Sequence, residues 1–143
     1  MPRILLVDDH PENRNLLATM LRKQGHQVVA VGDGRLALRA VGLDDEGRPP
    51  AGGTADCPFA AVLMDVRLPG LDGREVTRRL RAAGLRDLPV LAVTAQALPG
   101  DREACLQAGM DRYVAKPLTM KILGEALREC GVEGSPAGAG PEA

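Results

Sequence analysis

The sequence predicts an α/β fold, a doubly wound five-stranded parallel sheet with helices on both faces. Two observations carry that reading. Five short apolar segments, rich in β-branched residues or bounded by turn signals, alternate with amphipathic helical stretches. The length, 143 residues, suits one domain with one hydrophobic core and leaves little room for a second.

The expected strands are ILLV at 4–7, QVVAV at 27–31, AAVLM at 60–64, VLAVT at 90–94 and RYVA at 112–115. Between the first two, Leu17, Met20 and Leu21 recur at helical spacing, and Gly25 supplies a C-terminal stop. A second helix separates strand two from an inserted loop at 44–58, DDEGRPPAGGTADCP, which has no periodicity and is longer than a compact domain needs. Asp72 and Glu75 have capping-box spacing, with Asp in the cap position, so the third helix starts near Gly73. The fourth helix, 101–108, has a thin apolar face of Ala104, Cys105 and Ala108. Leu118, Ile122, Ala126 and Leu127 are expected to line one face of the fifth. The domain is placed at 1–130, and the tail at 131–143, GVEGSPAGAGPEA, has the composition of a disordered segment.

Composition excludes several functions. A formal net charge of −1 with 26% charged residues lacks the basic excess that DNA backbone binding needs, so no direct DNA binding is expected. One Tyr, one Phe and no Trp leave little to stack on single-stranded bases. No apolar run approaches the ~20 residues of a membrane span, and the apolar stretch after Met1 is too short for a signal sequence. No membrane association and a cytoplasmic location are therefore expected. Cys57, Cys105 and Cys130 are odd in number and widely spaced, and are read as reduced packing thiols.

Open α/β sheets place their working groups at the carboxyl ends of the strands. Asp8 and Asp9 follow strand one, Asp65 follows strand three, Thr94 ends strand four and Lys116 follows strand five. With the flavodoxin-like strand order 2-1-3-4-5, those ends share one edge, and the insertion lies at the opposite one. Carboxylates within ~5 Å would repel by roughly 3 kcal/mol per pair at an effective dielectric near 20. A divalent cation removes that cost, and an all-oxygen set with room for water suits Mg²⁺. Asp65 is the candidate nucleophile toward a phosphoryl group, and Lys116 the counter-charge. Each residue alone has a plainer reading: Asp8 and Asp9 as acids near a helix start, Thr94 as a strand end, Lys116 as a solvated lysine, Tyr113 as a core ring. His10 and His26 stand alone and are read as ordinary residues; Gly70 and Gly73 are read as serving turn geometry.

The ordered set of motifs, over roughly residues 3–130, resembles the two-component response-regulator receiver domain of the chemotaxis-regulator type. VDDHPENR at 7–14 looks like the start of such domains, its Asn13-Arg14 ending like those attached to hybrid sensor kinases. LMDVRLPGLDG at 63–73 resembles the phosphoacceptor segment, with VTA at 93–95 and KP at 116–117 completing the pattern. The resemblance implies that Asp65 accepts a phosphoryl group from a histidine kinase or histidine phosphotransfer protein. Asp9, Asp65 and the backbone carbonyl of Arg67 would hold Mg²⁺, with Asp8 assisting through water, while Thr94 and Lys116 contact the phosphoryl oxygens. Tyr113, three residues before the lysine, would be the switch aromatic coupled to Thr94. The signalling face would be helix four, strand five and helix five, open to an unidentified downstream protein or to weak homodimerisation of a monomer. Lys116-Pro117 would be a cis bond. Arg67 and Gln96 occupy the positions that tune phosphoryl lifetime and imply slow self-dephosphorylation.

Two other functions share this fold. An aspartyl-phosphate phosphatase would place a DxD motif after strand one, whereas here the acceptor follows strand three and the residue two beyond it is Arg67. A pseudo-receiver would act as a non-phosphorylated interaction module, against which the full set of acids, Thr94 and Lys116 argues. No output domain is expected, and the sequence leaves open a free regulator, a relay intermediate or a hybrid-kinase receiver.

Overall fold

The computed structural model describes residues 2–49, 57–94, 98–116 and 118–132. Five strands and five helices alternate: β1 (Arg3–Val7), α1 (Pro11–Lys23), β2 (Gln27–Val31), α2 (Gly34–Ala40), β3 (Ala61–Asp65), α3 (Gly73–Ala82), β4 (Val90–Thr94), α4 (Asp101–Gln107), β5 (Arg112–Ala115) and α5 (Met120–Glu129). All strand pairs are parallel, in the order β2-β1-β3-β4-β5. Strand three is one residue later than the apolar run suggests, so Asp65 is its last residue rather than the first of the following loop. The fourth helix ends at Gln107, one residue short of expectation.

The strand period of two divides the core. Leu5, Val7, Val62, Met64, Val90 and Ala92 face α2, α3 and α4, where Ala37, Leu38, Val76, Leu80 and Cys105 meet them. Ile4, Leu6, Leu63, Leu91 and Val93 face α1 and α5, where Leu17, Met20, Leu21, Leu123, Ala126 and Leu127 close the other layer. Every residue of β3 and β4 is buried because helices cover both faces, which explains why these strands read as continuous apolar runs rather than alternating ones. The edge strand β2 is only partly covered.

The stop after α1 forms as expected, with Gly25 at φ 89. The fifth helix differs in phase: Leu123 is buried at 1% exposure and Ile122 projects outward at 41%. Thr119 caps α5 through the Ile122 amide, so the helix starts after Leu118. The buried stripe is then 123, 126 and 127, at i, i+3 and i+4. Leu118 packs on the same layer from outside the helix. The α3 capping box forms by half. Asp72 accepts from the Arg74 amide at 2.6 Å, while Glu75 turns out to Arg78 and Arg79.

The start of the inserted loop is a built turn. Asp44 Oδ1 accepts from the amides of Glu46 and Arg48, and its own amide donates to the Arg48 carbonyl. Asp45 is paired with Arg39 of α2. Residues 50–56 of the insertion and 133–143 of the tail lie outside the described residues.

At the amino end of the sheet, Arg81 joins two connections. Its guanidinium donates to the carbonyls of Leu85, Leu88 and Gly109 and to Asp111, whose carboxylate also receives the Val90 amide.

Candidate functional site

The carboxyl ends of β1, β3 and β5 converge on one rim. Asp8 and Asp9 leave β1, Asp65 ends β3, and Lys116 follows β5, its amide bonded to the Thr94 carbonyl at the end of β4. Asp8 is 1% exposed and is held from several sides: its Oδ2 takes the Lys116 ammonium at 3.1 Å, its Oδ1 accepts from the His10 amide at 2.9 Å, its backbone carbonyl accepts from Arg14 at 2.8 Å, and its amide donates to the Val31 carbonyl. The Lys116 charge is therefore seated on Asp8 and acts on Asp65 through space.

Asp65 is 6% exposed, and its Oδ1 accepts from the Arg67 amide at 3.1 Å. Burial pushes its carboxyl above the ordinary range. The Arg67 amide and the Lys116 charge pull it back down, and Asp8 and Asp9 add to the rise. The loop that follows is held close by Gly73, where any Cβ would come within 2.3 Å of the Asp65 carbonyl. The glycine thus serves a close approach of α3 to β3, beyond the turn geometry expected of it.

Asp8, Asp9, His10 and Asp65 each present a ligand atom within 4.8 Å of one another. Asp9 Oδ1 is buried and accepts no hydrogen bond among the described residues. The His10 ring nitrogen stands 3.1 Å from it, an ion pair only when the imidazole is protonated. Three carboxylates, one with an unsatisfied buried oxygen, make a donor set that fits a hard divalent cation.

The other expected residues fall as follows. Thr94 is fully buried at the end of β4. Tyr113 on β5 is half-buried against the α2–α4 layer, and its hydroxyl is buried with no hydrogen-bond partner among the described residues. The Arg67 side chain, expected beside the acceptor, is bound to Asp101 at the start of α4. Gln96 and Pro117, and with Pro117 the expected cis bond, lie outside the described residues. Sequence reasoning missed Asp101, because an acid opening a helix 34 residues from its arginine gives no local signal. It also passed over Arg14, whose side chain clamps the Asp8 carbonyl. The Asn13-Arg14 ending was the available clue.

Fold and rim together define a flavodoxin-like α/β protein with a lysine-countered carboxylate cluster at the carboxyl edge of its sheet. The response regulator receiver domain matches residues 4–128, and the chain belongs to that family, the receiver domains of two-component systems. It is 38% identical over 144 residues to the sensor histidine kinase GacS of Pseudomonas protegens, covering 92% of this chain and 14% of that protein. Against the transcriptional regulatory protein TcrA of Mycobacterium tuberculosis it is 42% identical over 126 residues, covering 88% of this chain and 44% of the relative. The chain thus spans only a small part of the sensor kinases it matches and under half of TcrA. Among solved structures, the receiver domain of sensor histidine kinase PA1611 from Pseudomonas aeruginosa, with magnesium coordinated in its active-site cleft, is 41% identical at a TM-score of 0.74. That match covers 92% of this chain and 98% of the other. No helix among the described residues is long and apolar enough to cross a membrane.

Proposed function

We propose that this domain, placed at 1–130, takes a phosphoryl group from a phosphohistidine onto Asp65 in a Mg²⁺-dependent reaction. The donor is a histidine kinase or histidine phosphotransfer protein. The observation that carries the reading is the convergence of Asp8, Asp9 and Asp65 within 4.8 Å beside the Lys116 ammonium. The magnesium-bound PA1611 receiver supports the choice of cation.

Asp9, Asp65 and the Arg67 carbonyl would hold the cation, and Asp8 orients Lys116 and would assist through water. When bound, the cation would supply charge neutralisation at the phosphoryl oxygens. An Asp65 carboxylate oxygen forms the new O–P bond as the N–P bond of the phosphohistidine breaks, and the imidazole departs with that electron pair and takes up a proton. Lys116 and Thr94 contact the equatorial oxygens, where transition-state charge spreads. Thr94 and Tyr113 pass the change to the face formed by α4, β5 and α5, which a downstream protein reads in the cytoplasm. Arg67, a bulky cation, and Gln96, an amide in place of an acid, hinder or fail to orient an attacking water and so give the phosphoryl group a long lifetime.

Incubation of the chain with Mg²⁺ and a small acyl phosphate is expected to add one phosphoryl group by intact mass. Asp65→Asn is expected to abolish the addition. A wild-type chain that gains no mass would instead be a non-phosphorylated interaction module.

A further inference from the structure

We propose that Asp101 is the resting-state holder of the Arg67 guanidinium, and that a phosphoryl group on Asp65 draws the guanidinium away and releases the first turn of α4. The proposal rests on the reading of Asp65 as phosphoacceptor and adds a positioning residue that links it to α4.

Arg67 is rooted at the acceptor, because its own amide donates to Asp65 Oδ1. Its side chain leaves from there and ends on Asp101 Oδ2. A phosphoryl group on Asp65 would place three acceptor oxygens and close to two negative charges beside that root, against the single charge of Asp101. Guanidinium binds such oxygens in bidentate fashion, so the competition favours the phosphoryl group. The Arg67 side chain is 38% exposed, and its transfer opens no part of the core.

The other end of the link is a lightly buried helix. Only Asp101 and Cys105 of α4 are buried, and Gly100 offers no side chain to cap it. Asp101 Oδ2 is shared between Arg67 and the Leu98 amide, so one oxygen fixes both the approach to α4 and its tie to the acceptor loop. Loss of the arginine removes one of the few contacts that hold this helix on the sheet. The same two charges act on the Tyr113 hydroxyl, which is buried and has no hydrogen-bond partner among the described residues. Transfer of Arg67 therefore changes the surroundings of the aromatic proposed to switch.

The test uses the full chain with Mg²⁺ and beryllium fluoride as the phosphoryl mimic, reading apparent affinity and amide exchange across 101–107. In the wild type, the mimic should speed exchange in α4. Asp101→Asn, which frees Arg67 in advance, should bind the mimic roughly threefold to tenfold more tightly, with α4 exchange already fast without it. Asp101→Glu should restore wild-type behaviour, and the gain in affinity should vanish when Arg67→Met is added. An affinity gain that survives without Arg67, or Asp101→Asn binding no tighter than wild type, would overturn the link. Should Asp101→Asn fail to fold, Arg67→Met alone decides: its α4 must exchange fast at rest and gain nothing from the mimic, and a full wild-type response refutes the proposal. A wild type that does not bind the mimic at all refutes the phosphoacceptor reading instead.

Discussion

His26 shows how one side chain imposes a pH limit on this fold. It follows the turn after α1, is buried, and its Nδ1 has no hydrogen-bond partner among the described residues. Burial lowers its pKa below 6.5, so the folded chain resists a proton that the unfolded chain accepts. In that window the unfolded state binds more protons, and stability rises with pH. The stabilisation is complete above 6.5 and is lost progressively as pH falls toward the lowered folded value. Urea midpoints should therefore drop as pH falls below 6.5, and His26→Gln should flatten that slope. A slope unchanged in the variant would place the sensitive group elsewhere. Asp65 has the opposite balance: burial and two neighbouring acids raise its carboxyl. Asp65 therefore holds its charge at a cost to the fold.

Among the elements, α3 is tied to its surroundings by one long side chain. Its Arg81 reaches three backbone carbonyls and Asp111, binding the connection after α3 to the one before β5. Arg81→Met keeps much of the apolar stem but leaves those acceptors unpaired. A loss of about 2–4 kcal/mol is expected by urea unfolding, with no change in phosphoryl uptake per folded molecule, because this network lies at the far end of the strands. A loss below the error of the measurement would show that water replaces the guanidinium freely. The strands were legible because burial on both faces writes itself as an apolar run. In α5 the stripe was misphased because Leu118 belongs to the approach rather than the helix, and counting from it selects Ile122 over Leu123. The Arg81 network was illegible, since its main partners are backbone carbonyls that no residue type announces.

For the whole molecule, topology turns four short motifs into one site. The crossing order brings β1, β3, β4 and β5 side by side, so Asp8, Asp9, Asp65 and Lys116, spread over 108 residues between Asp8 and Lys116, share a rim. These residues were readable from sequence because each ends or follows a strand. The Arg67–Asp101 pair was not, because α4 must be placed before the two can be seen to meet. Crowded carboxylates predict that Mg²⁺ stabilises the fold: at a hundredfold excess over its Kd the gain should be about 2.7 kcal/mol, seen as a rise in Tm of several degrees. Sodium at matched ionic strength should not reproduce it, and Asp9→Asn should lose most of it. Equal stabilisation by sodium would mean that general screening, rather than a bound ion, relieves the rim. The separation of the sheet's two ends has a practical side as well. The connection at 44–58 leads into β3, whose first residue, Ala61, lies four residues ahead of Asp65 along the strand, so a fluorophore or affinity handle placed on the turn at 44–49 is carried at the end of the sheet away from that carboxylate. A handle placed that way leaves clear the rim where the proposed phosphoryl donor would dock.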